Sequence, residues 1–326
     1  MIQTYSQFLN NDNTLSEGGN VFAGKTSSIK LEYIKPTLDA YFAELKKIFP
    51  KKAAIFNEKH FHPLGSVGKK PYSGDIDLGI DVSSLLDATM SDKSIAEWGI
   101  DPKAVHAEFA KLEKRAKTST PAQIAFKAFL KVLTLYINSH APKLHCDPDK
   151  VTAGNIFGLY PQQNGSNEDV GTGVQIDWMV GKIEWLKFSY HSAAYPVDSN
   201  VKGLHRTQLM LATFQAAELS FNHVSGVKDK ETGEVVATDP KGALNILSSK
   251  LGHTFTQVTM DDYYKIHAAI KTLDKKVYDR IIDTYLKILD STRADIPGDL
   301  QGEWRSRKTK LSLTGKFLPV DSLLKE

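Results

Sequence analysis

The stretch GSVGKKPYSGDIDLGID, residues 65–81, contains the residue types that can bind a metal ion and a phosphate chain. Asp75 and Asp77 are two residues apart, and in an extended strand such side chains lie on one face, about 6–7 Å apart. Two carboxylates on one face repel each other unless cations lie between them, and a pair of divalent ions about 3.5–4 Å apart fits that gap. The pair therefore predicts a site for two Mg²⁺ ions, with Mn²⁺ as the alternative, because Mg²⁺ prefers oxygen ligands and is often held by carboxylates together with substrate phosphates.

The residues just before this pair are suited to binding phosphate. Gly65 lets the backbone approach a ligand closely, and Ser66 offers a hydroxyl and an N–H group. Lys69 or Lys70 can neutralise a triphosphate. The stretch is not a P-loop, because that motif needs Ser or Thr directly after the lysine of its GK pair, where Lys70 stands here.

A third acidic residue stands in a different part of the chain. Asp177 is the lone acid in the apolar run VQIDWMV, residues 174–180. An isolated carboxylate within a hydrophobic strand is costly to bury unless it is paired or bound to a metal. Asp177 is therefore a candidate third ligand.

Hydrophobic periodicity and turn residues predict the elements that carry these side chains. They indicate an α+β protein, with a mixed α/β half followed by a mostly helical half that carries one small hairpin. In chain order the predicted elements are a helix over 29–49, strands over 58–64 and 75–82 around a turn, helices over 101–117 and 121–140, strands over 154–162 and 174–181, a helix over 202–221, a hairpin within 223–238, and two helices within 260–290.

Composition bounds the class of protein. The chain has 326 residues, of which 41% are hydrophobic and 24% charged, as in an ordinary folded globular protein. The net charge of +3 does not by itself indicate a nucleic-acid partner. Cys146 is the single cysteine, which excludes an intramolecular disulfide, and no apolar run approaches the roughly 18 residues of a membrane span. Since the N-terminus also lacks a signal-peptide layout, we predict a cytoplasmic protein that does not enter a membrane.

Together, Gly65-Ser66, the eight-residue spacer and Asp75-Ile76-Asp77-Leu78 resemble the signature of the polymerase-beta-type nucleotidyltransferase superfamily. The resemblance covers residues 35–190, and its third carboxylate on a later strand corresponds to Asp177. It implies a nucleotidyltransferase core built on a mixed sheet with flanking helices. We accordingly predict a loosely ordered arm over 1–27, a catalytic domain over 28–195 and a helical substrate-binding domain over 196–326.

The resemblance also implies roles for these residues. Asp75 and Asp77 would bridge two metal ions, Asp177 would bind the catalytic ion and orient or deprotonate the acceptor, and Ser66 would contact a phosphate. Members of the superfamily often place a lysine that touches the triphosphate in the helix after the core, and Lys202 and Arg206 correspond to that position. The implied reaction transfers a nucleoside monophosphate from a nucleoside triphosphate, with ATP expected, to an acceptor hydroxyl.

The acceptor stays open at this point, because fold and chemistry do not name it. The first alternative is untemplated extension of a nucleic-acid 3′ end, similar to CCA-adding and poly(A) polymerases, supported by the basic residues of two segments near 271–276 and 304–310. The second is synthesis of cyclic or linear oligonucleotides, resembling bacterial relatives of cyclic GMP-AMP synthase. Others are nucleotidyl transfer to protein, modification of a small molecule, and an antitoxin-like binding module.

Overall fold

The computed structural model describes residues 21–22, 24–116, 119–196, 199–223 and 225–313. Of these, residues up to 187 form one compact unit and those from 188 onwards form another. Most of the predicted arm, 1–27, lies outside the described residues. Within the described ranges, no helix is both long and apolar enough to cross a bilayer.

The first unit is a mixed α/β structure, as the sequence predicts. The predicted helix over 121–140 is confirmed with the same bounds. At its start, Thr120 and Gln123 form a reciprocal capping box and Pro121 occupies the first turn. In chain order the elements are β1 (Ile29–Lys30), α1 (Leu31–Ile48), β2 (Phe61–Pro63), β3 (Tyr72–Ser73), β4 (Ile76–Asp81), α2 (Val82–Leu85), α3 (Asp92–Ala96), α4 (Pro102–Glu113), α5 (Pro121–His140), β5 (His145–Cys146), β6 (Asn155–Gln163), β7 (Asp169–Gly181) and the start of α6 (Ile183–Ser189), whose last two residues are counted with the second unit.

Five of these strands form one mixed sheet in the order β2-β4-β7-β6-β5. The β4–β7 pair is parallel, and the other neighbours are antiparallel. One face of the sheet belongs to the core. There Trp178 on β7 is buried and donates its indole N–H to the hydroxyl of Tyr41 on α1, with 2.6 Å between the two heavy atoms. The alternate residues of β4, Ile76, Leu78 and Ile80, are fully buried on the same side, so period two directs the intervening aspartates to the opposite face.

The described part of the predicted arm is attached to the sheet. Thr26 forms a parallel bridge with Gly173, and the N–H of Ser27 donates to the Gly173 carbonyl at 2.9 Å. Gln162 on β6 is buried and donates from Nε2 to the Ser27 carbonyl at 3.1 Å. The residues just before β1 therefore run beside the start of β7.

The second unit is mostly helical and carries the predicted hairpin, formed by β9 (Gly226–Asp229) and β10 (Val235–Ala237). The helix predicted over 202–221 is shorter than expected, because Glu218 adopts a left-handed backbone conformation and the chain continues as β8 (Leu219–Asn222), which pairs with β9. The elements are α7 (Gly203–Ala216), β8 (Leu219–Asn222), β9 (Gly226–Asp229), β10 (Val235–Ala237), α8 (Pro240–Leu251), α9 (Tyr263–Ile270), α10 (Lys275–Thr292) and α11 (Gln301–Arg307).

Two cations of the basic segment near 304–310 take part in ion pairs within this unit. The Arg307 guanidinium, at the end of α11, donates to Asp279 and Asp283 on α10 at 2.7 and 2.6 Å and to Glu303 at 2.9 Å. The Lys310 ammonium lies 3.4 Å from Asp283. These charges therefore join α11 to α10.

Replacing Arg307 by methionine is expected to lower the free energy of unfolding by about 2 kcal/mol or more, because three carboxylates would lose their common partner. A fully buried pair costs about 3–5 kcal/mol to break, and solvent reduces this for partly exposed carboxylates. Urea unfolding followed by circular dichroism would measure the change. Lys276→Met, at an exposed position of α10, is the control, and equal loss in both variants would contradict a special role for Arg307.

Candidate metal centre

The structure brings together the three predicted aspartates. Asp75 stands one residue before β4, Asp77 is its second residue, and Asp177 is on the neighbouring strand β7. The parallel register places Asp77 directly opposite Asp177. One carboxylate oxygen from each residue lies within 4.8 Å of the others. These oxygens are close enough together for all three carboxylates to bind one metal ion.

The electrostatics of the cluster favour a cation. Burial raises the pKa of Asp77 well above its usual range, and the nearby charge of Asp75 raises it further. Burial, followed by the charges of Asp77 and Asp75, likewise raises the pKa of Asp177, which is only 3% exposed. Ionised carboxylates held this close repel each other, so a bound cation would favour the charged form of all three.

One oxygen of Asp177 is suited to act as a ligand. Oδ2 accepts a hydrogen bond from Gln175, whereas Oδ1 is buried and has no hydrogen-bond partner among the described residues. A buried oxygen without a partner is rare in folded proteins, and a site for an ion is one accepted explanation. The donor set, three carboxylates, matches the oxygen preference of Mg²⁺ and Mn²⁺.

The glycine-serine turn packs directly against Asp77. Gly65 has a φ of +60°, and a Cβ atom added there would lie 2.8 Å from Asp77 Oδ2. The N–H of Leu64 donates to the carbonyl of Asp77 at 2.9 Å, which ties the turn to β4. Both the backbone conformation and the limited space therefore favour glycine at position 65.

Ser66, Lys69 and Lys70, the predicted phosphate-binding residues, follow Gly65 in the turn before β4. Ser66 is partly exposed, and its carbonyl accepts the Lys69 N–H at 3.1 Å. The Lys69 ammonium donates to the Gly65 carbonyl at 3.0 Å, so this lysine stabilises the turn. Lys70 is partly exposed. Phosphate binding by Ser66, Lys69 and Lys70 stays a prediction.

Lys202 and Arg206 belong to the second unit. Lys202 precedes α7, and its N–H donates to His205 Nδ1 at 2.9 Å. Arg206 is buried, with its guanidinium donating to the carbonyls of Met260 and Ser189 at 2.7 and 3.2 Å. Burial lowers the pKa of Arg206 to about 10. These hydrogen bonds of Arg206 stabilise its own unit, and the nucleotide-binding role of both residues stays a prediction.

Gln175 contacts the aspartate cluster, although no sequence motif pointed to it. It is two residues before Asp177, so on a strand the two side chains share a face. Its amide donates from Nε2 to Asp177 Oδ2 at 2.8 Å. The same period-two argument that pairs Asp75 with Asp77 could have identified it, but a neutral amide carries no signal of metal chemistry.

The raised pKa values predict how the stability of the metal-free protein depends on pH. The folded state holds protons on Asp77 and Asp177 more strongly than the unfolded chain, where the pKa is near 3.8. Their contribution to stability is therefore fully present below that ordinary pKa and is lost as the pH rises through the raised folded pKa.

The measurement is urea unfolding of wild type and Asp177→Asn between pH 4 and pH 8, with EDTA present. The wild-type free energy of unfolding is expected to fall relative to that of the variant as the pH rises. Parallel curves for the two proteins over this range would contradict the prediction.

Comparison with known proteins supplied no relative. A scan against protein-family models gave no match, and a search of curated proteins found no significant one. The resemblance to nucleotidyltransferases therefore depends on the aspartate cluster, the turn before it and the mixed sheet.

Proposed function

We propose that the protein is a metal-dependent nucleotidyltransferase of the polymerase-beta type. It would transfer a nucleoside monophosphate from ATP or another nucleoside triphosphate to an acceptor hydroxyl and release pyrophosphate. The single observation that carries the proposal is that one carboxylate oxygen from each of Asp75, Asp77 and Asp177 lies within 4.8 Å of the others, where the parallel strands β4 and β7 lie side by side.

Asp75, Asp77 and Asp177 would hold the ions, for which we propose two Mg²⁺. Bound divalent ions would lower the pKa of the acceptor hydroxyl and stabilise the charge that develops on pyrophosphate. The acceptor oxygen forms a bond to the α-phosphorus while the bond from this phosphorus to the bridging oxygen breaks, so pyrophosphate is the leaving group. Asp177, besides binding the catalytic ion, would orient the acceptor hydroxyl or take up its proton.

The turn before β4 would hold the triphosphate. Gly65 packs on Asp77 without a side chain, so backbone and metal-binding carboxylate lie close together. The Ser66 hydroxyl would donate to a phosphate oxygen, and Lys70 would offset phosphate charge. Lys69 donates to the Gly65 carbonyl. In our proposal it therefore stabilises the conformation of the turn and also adds positive charge next to the triphosphate.

For the acceptor, we propose a nucleic-acid 3′ end first. Lys271 and Lys276 are exposed in the helical unit and could contact phosphates. One observation favours the second candidate, an oligonucleotide second-messenger synthase. Arg307 and Lys310 pair with Asp279 and Asp283, so these two cations have acidic partners that compete with a nucleic-acid backbone.

The experiment incubates the protein with Mg²⁺ and each labelled nucleoside triphosphate in turn, with and without a short RNA. The double variant Asp75→Ala, Asp77→Ala is the control. Label in lengthened RNA that the double variant cannot produce would support the first acceptor, and a small labelled product made without RNA would support the second. Label on the protein would indicate protein nucleotidylation. Absence of product under all conditions would count against the enzyme and favour a binding module.

A further inference from the structure

Gln175 connects the third aspartate to the backbone before β1. The side chain is 3% exposed. Its Oε1 accepts the N–H of Val21 at 3.2 Å, and its Nε2 donates to Asp177 Oδ2 at 2.8 Å. Because a backbone N–H can only donate, Val21 requires the amide oxygen on its side, and the amide N–H₂ must then face the carboxylate.

This arrangement distinguishes the two oxygens of Asp177. Oδ2 is engaged by the Gln175 amide, whereas Oδ1 is buried and has no hydrogen-bond partner among the described residues. A carboxylate with one oxygen engaged can no longer rotate freely about its last bond, so the other oxygen stays in one direction.

We propose that Gln175 is a positioning residue, which holds Asp177 so that Oδ1 is the metal-binding oxygen. The inference rests on the proposed metal site. Residues that hydrogen-bond to metal ligands commonly set ligand orientation, and replacing them typically weakens metal binding about 10- to 100-fold. Val21 participates indirectly, because its N–H sets the direction of the amide.

The chain offers a matched control for a purely structural role. Gln162 is also a buried glutamine of the same sheet, 2% exposed, and it too forms a hydrogen bond with the residues before β1, donating to the Ser27 carbonyl. None of its hydrogen bonds reaches Asp177. A variant at Gln162 therefore loses its side-chain hydrogen bonds to this segment and keeps the hydrogen bond from Gln175 to the Asp177 carboxylate.

The experiment titrates the full chain with Mn²⁺ alone and measures free Mn²⁺ by electron paramagnetic resonance. Wild type, Gln175→Met and Gln162→Met are compared, with thermal unfolding in EDTA as a measure of folding. We expect Gln175→Met to weaken Mn²⁺ binding about 10-fold or more, and Gln162→Met to bind as wild type does. If Gln175→Met does not fold, Gln175→Asn carries the test, because its shorter side chain cannot span from Val21 to Asp177.

The outcomes separate this inference from the proposed function. Folded Gln175 variants that bind Mn²⁺ as wild type does would overturn the positioning role and leave the metal site intact. Equal weakening in Gln175→Met and Gln162→Met would also overturn it, because attachment of the segment would then explain the effect. Absence of Mn²⁺ binding by wild type itself would overturn the metal site and, with it, this inference.

Discussion

Asp77→Asn is expected to lower the rate of nucleotidyl transfer at least about 10³-fold. Loss of a single hydrogen-bond donor that stabilises transition-state charge costs about 10²–10³-fold in other enzymes, and Asp77 is the residue that faces both Asp177 across the strands and Gly65 in the turn. Asparagine has nearly the same shape but no charge, so the shape of the site is kept while the affinity for a cation falls. Transfer of labelled nucleotide with saturating Mg²⁺ would measure the rate.

The matched control for this change is Asp81→Asn. Asp81 ends the same strand, and its carboxylate caps the following helix by accepting from the N–H of Ser83 at 2.9 Å. An asparagine can keep this cap, because its side-chain oxygen also accepts. Asp81→Asn should therefore retain transfer activity, and a loss as large as that of Asp77→Asn would contradict a special role for the cluster.

The same Asp77→Asn change should stabilise the metal-free protein. Burial and the charge of Asp75 make the ionised Asp77 unfavourable in the folded state, and a neutral amide removes this cost. Activity and stability would then change in opposite directions, as is common for residues retained for function. A variant that is both inactive and less stable would instead indicate that Asp77 supports the fold.

Gly65→Ala is expected to remove most of the transfer activity and to weaken Mn²⁺ binding. The added Cβ would lie 2.8 Å from Asp77 Oδ2, closer than real Cβ contacts, so either the turn or the carboxylate must shift. Small displacements of groups that hold a substrate or metal can cost about 10²-fold in rate. Alanine at a φ of +60° also costs about 1–2 kcal/mol of stability. Transfer assays, Mn²⁺ titration and urea unfolding would measure the three effects.

Gly68→Ala distinguishes the effect of backbone strain from the effect of the contact between the added Cβ atom and Asp77. Gly68 lies in the same turn with a φ of +74°, but a Cβ atom added there meets nothing within 4 Å. It should therefore lose about the same stability from backbone strain as Gly65→Ala while retaining Mn²⁺ affinity. Equal weakening of Mn²⁺ binding in both variants would show that strain in the turn, and not the contact with Asp77, is responsible.

The local sequence determined the secondary structure around this site and the sheet face to which Asp75 and Asp77 point. The period of two in DIDLGID is sufficient to direct Asp75 and Asp77 away from the core, because alternate strand residues point to opposite faces. Hydrophobic periodicity was sufficient to predict the helix Pro121–His140, because the apolar repeat and the hydrogen bonds of a helix connect residues close together in the chain. The α+β class and the hairpin β9–β10 follow from the same short-range rules.

Only the tertiary structure decided which groups meet across long separations. Asp77 and Asp177 face each other because β4 and β7 are parallel neighbours, and no pattern within either strand sets that register. The contacts of Gln175 with Val21, and of Arg307 with the acids of α10, are likewise made between distant segments. Helix periodicity and charge are local properties, whereas strand order, and the partner that each polar group finds, depend on how the whole unit packs.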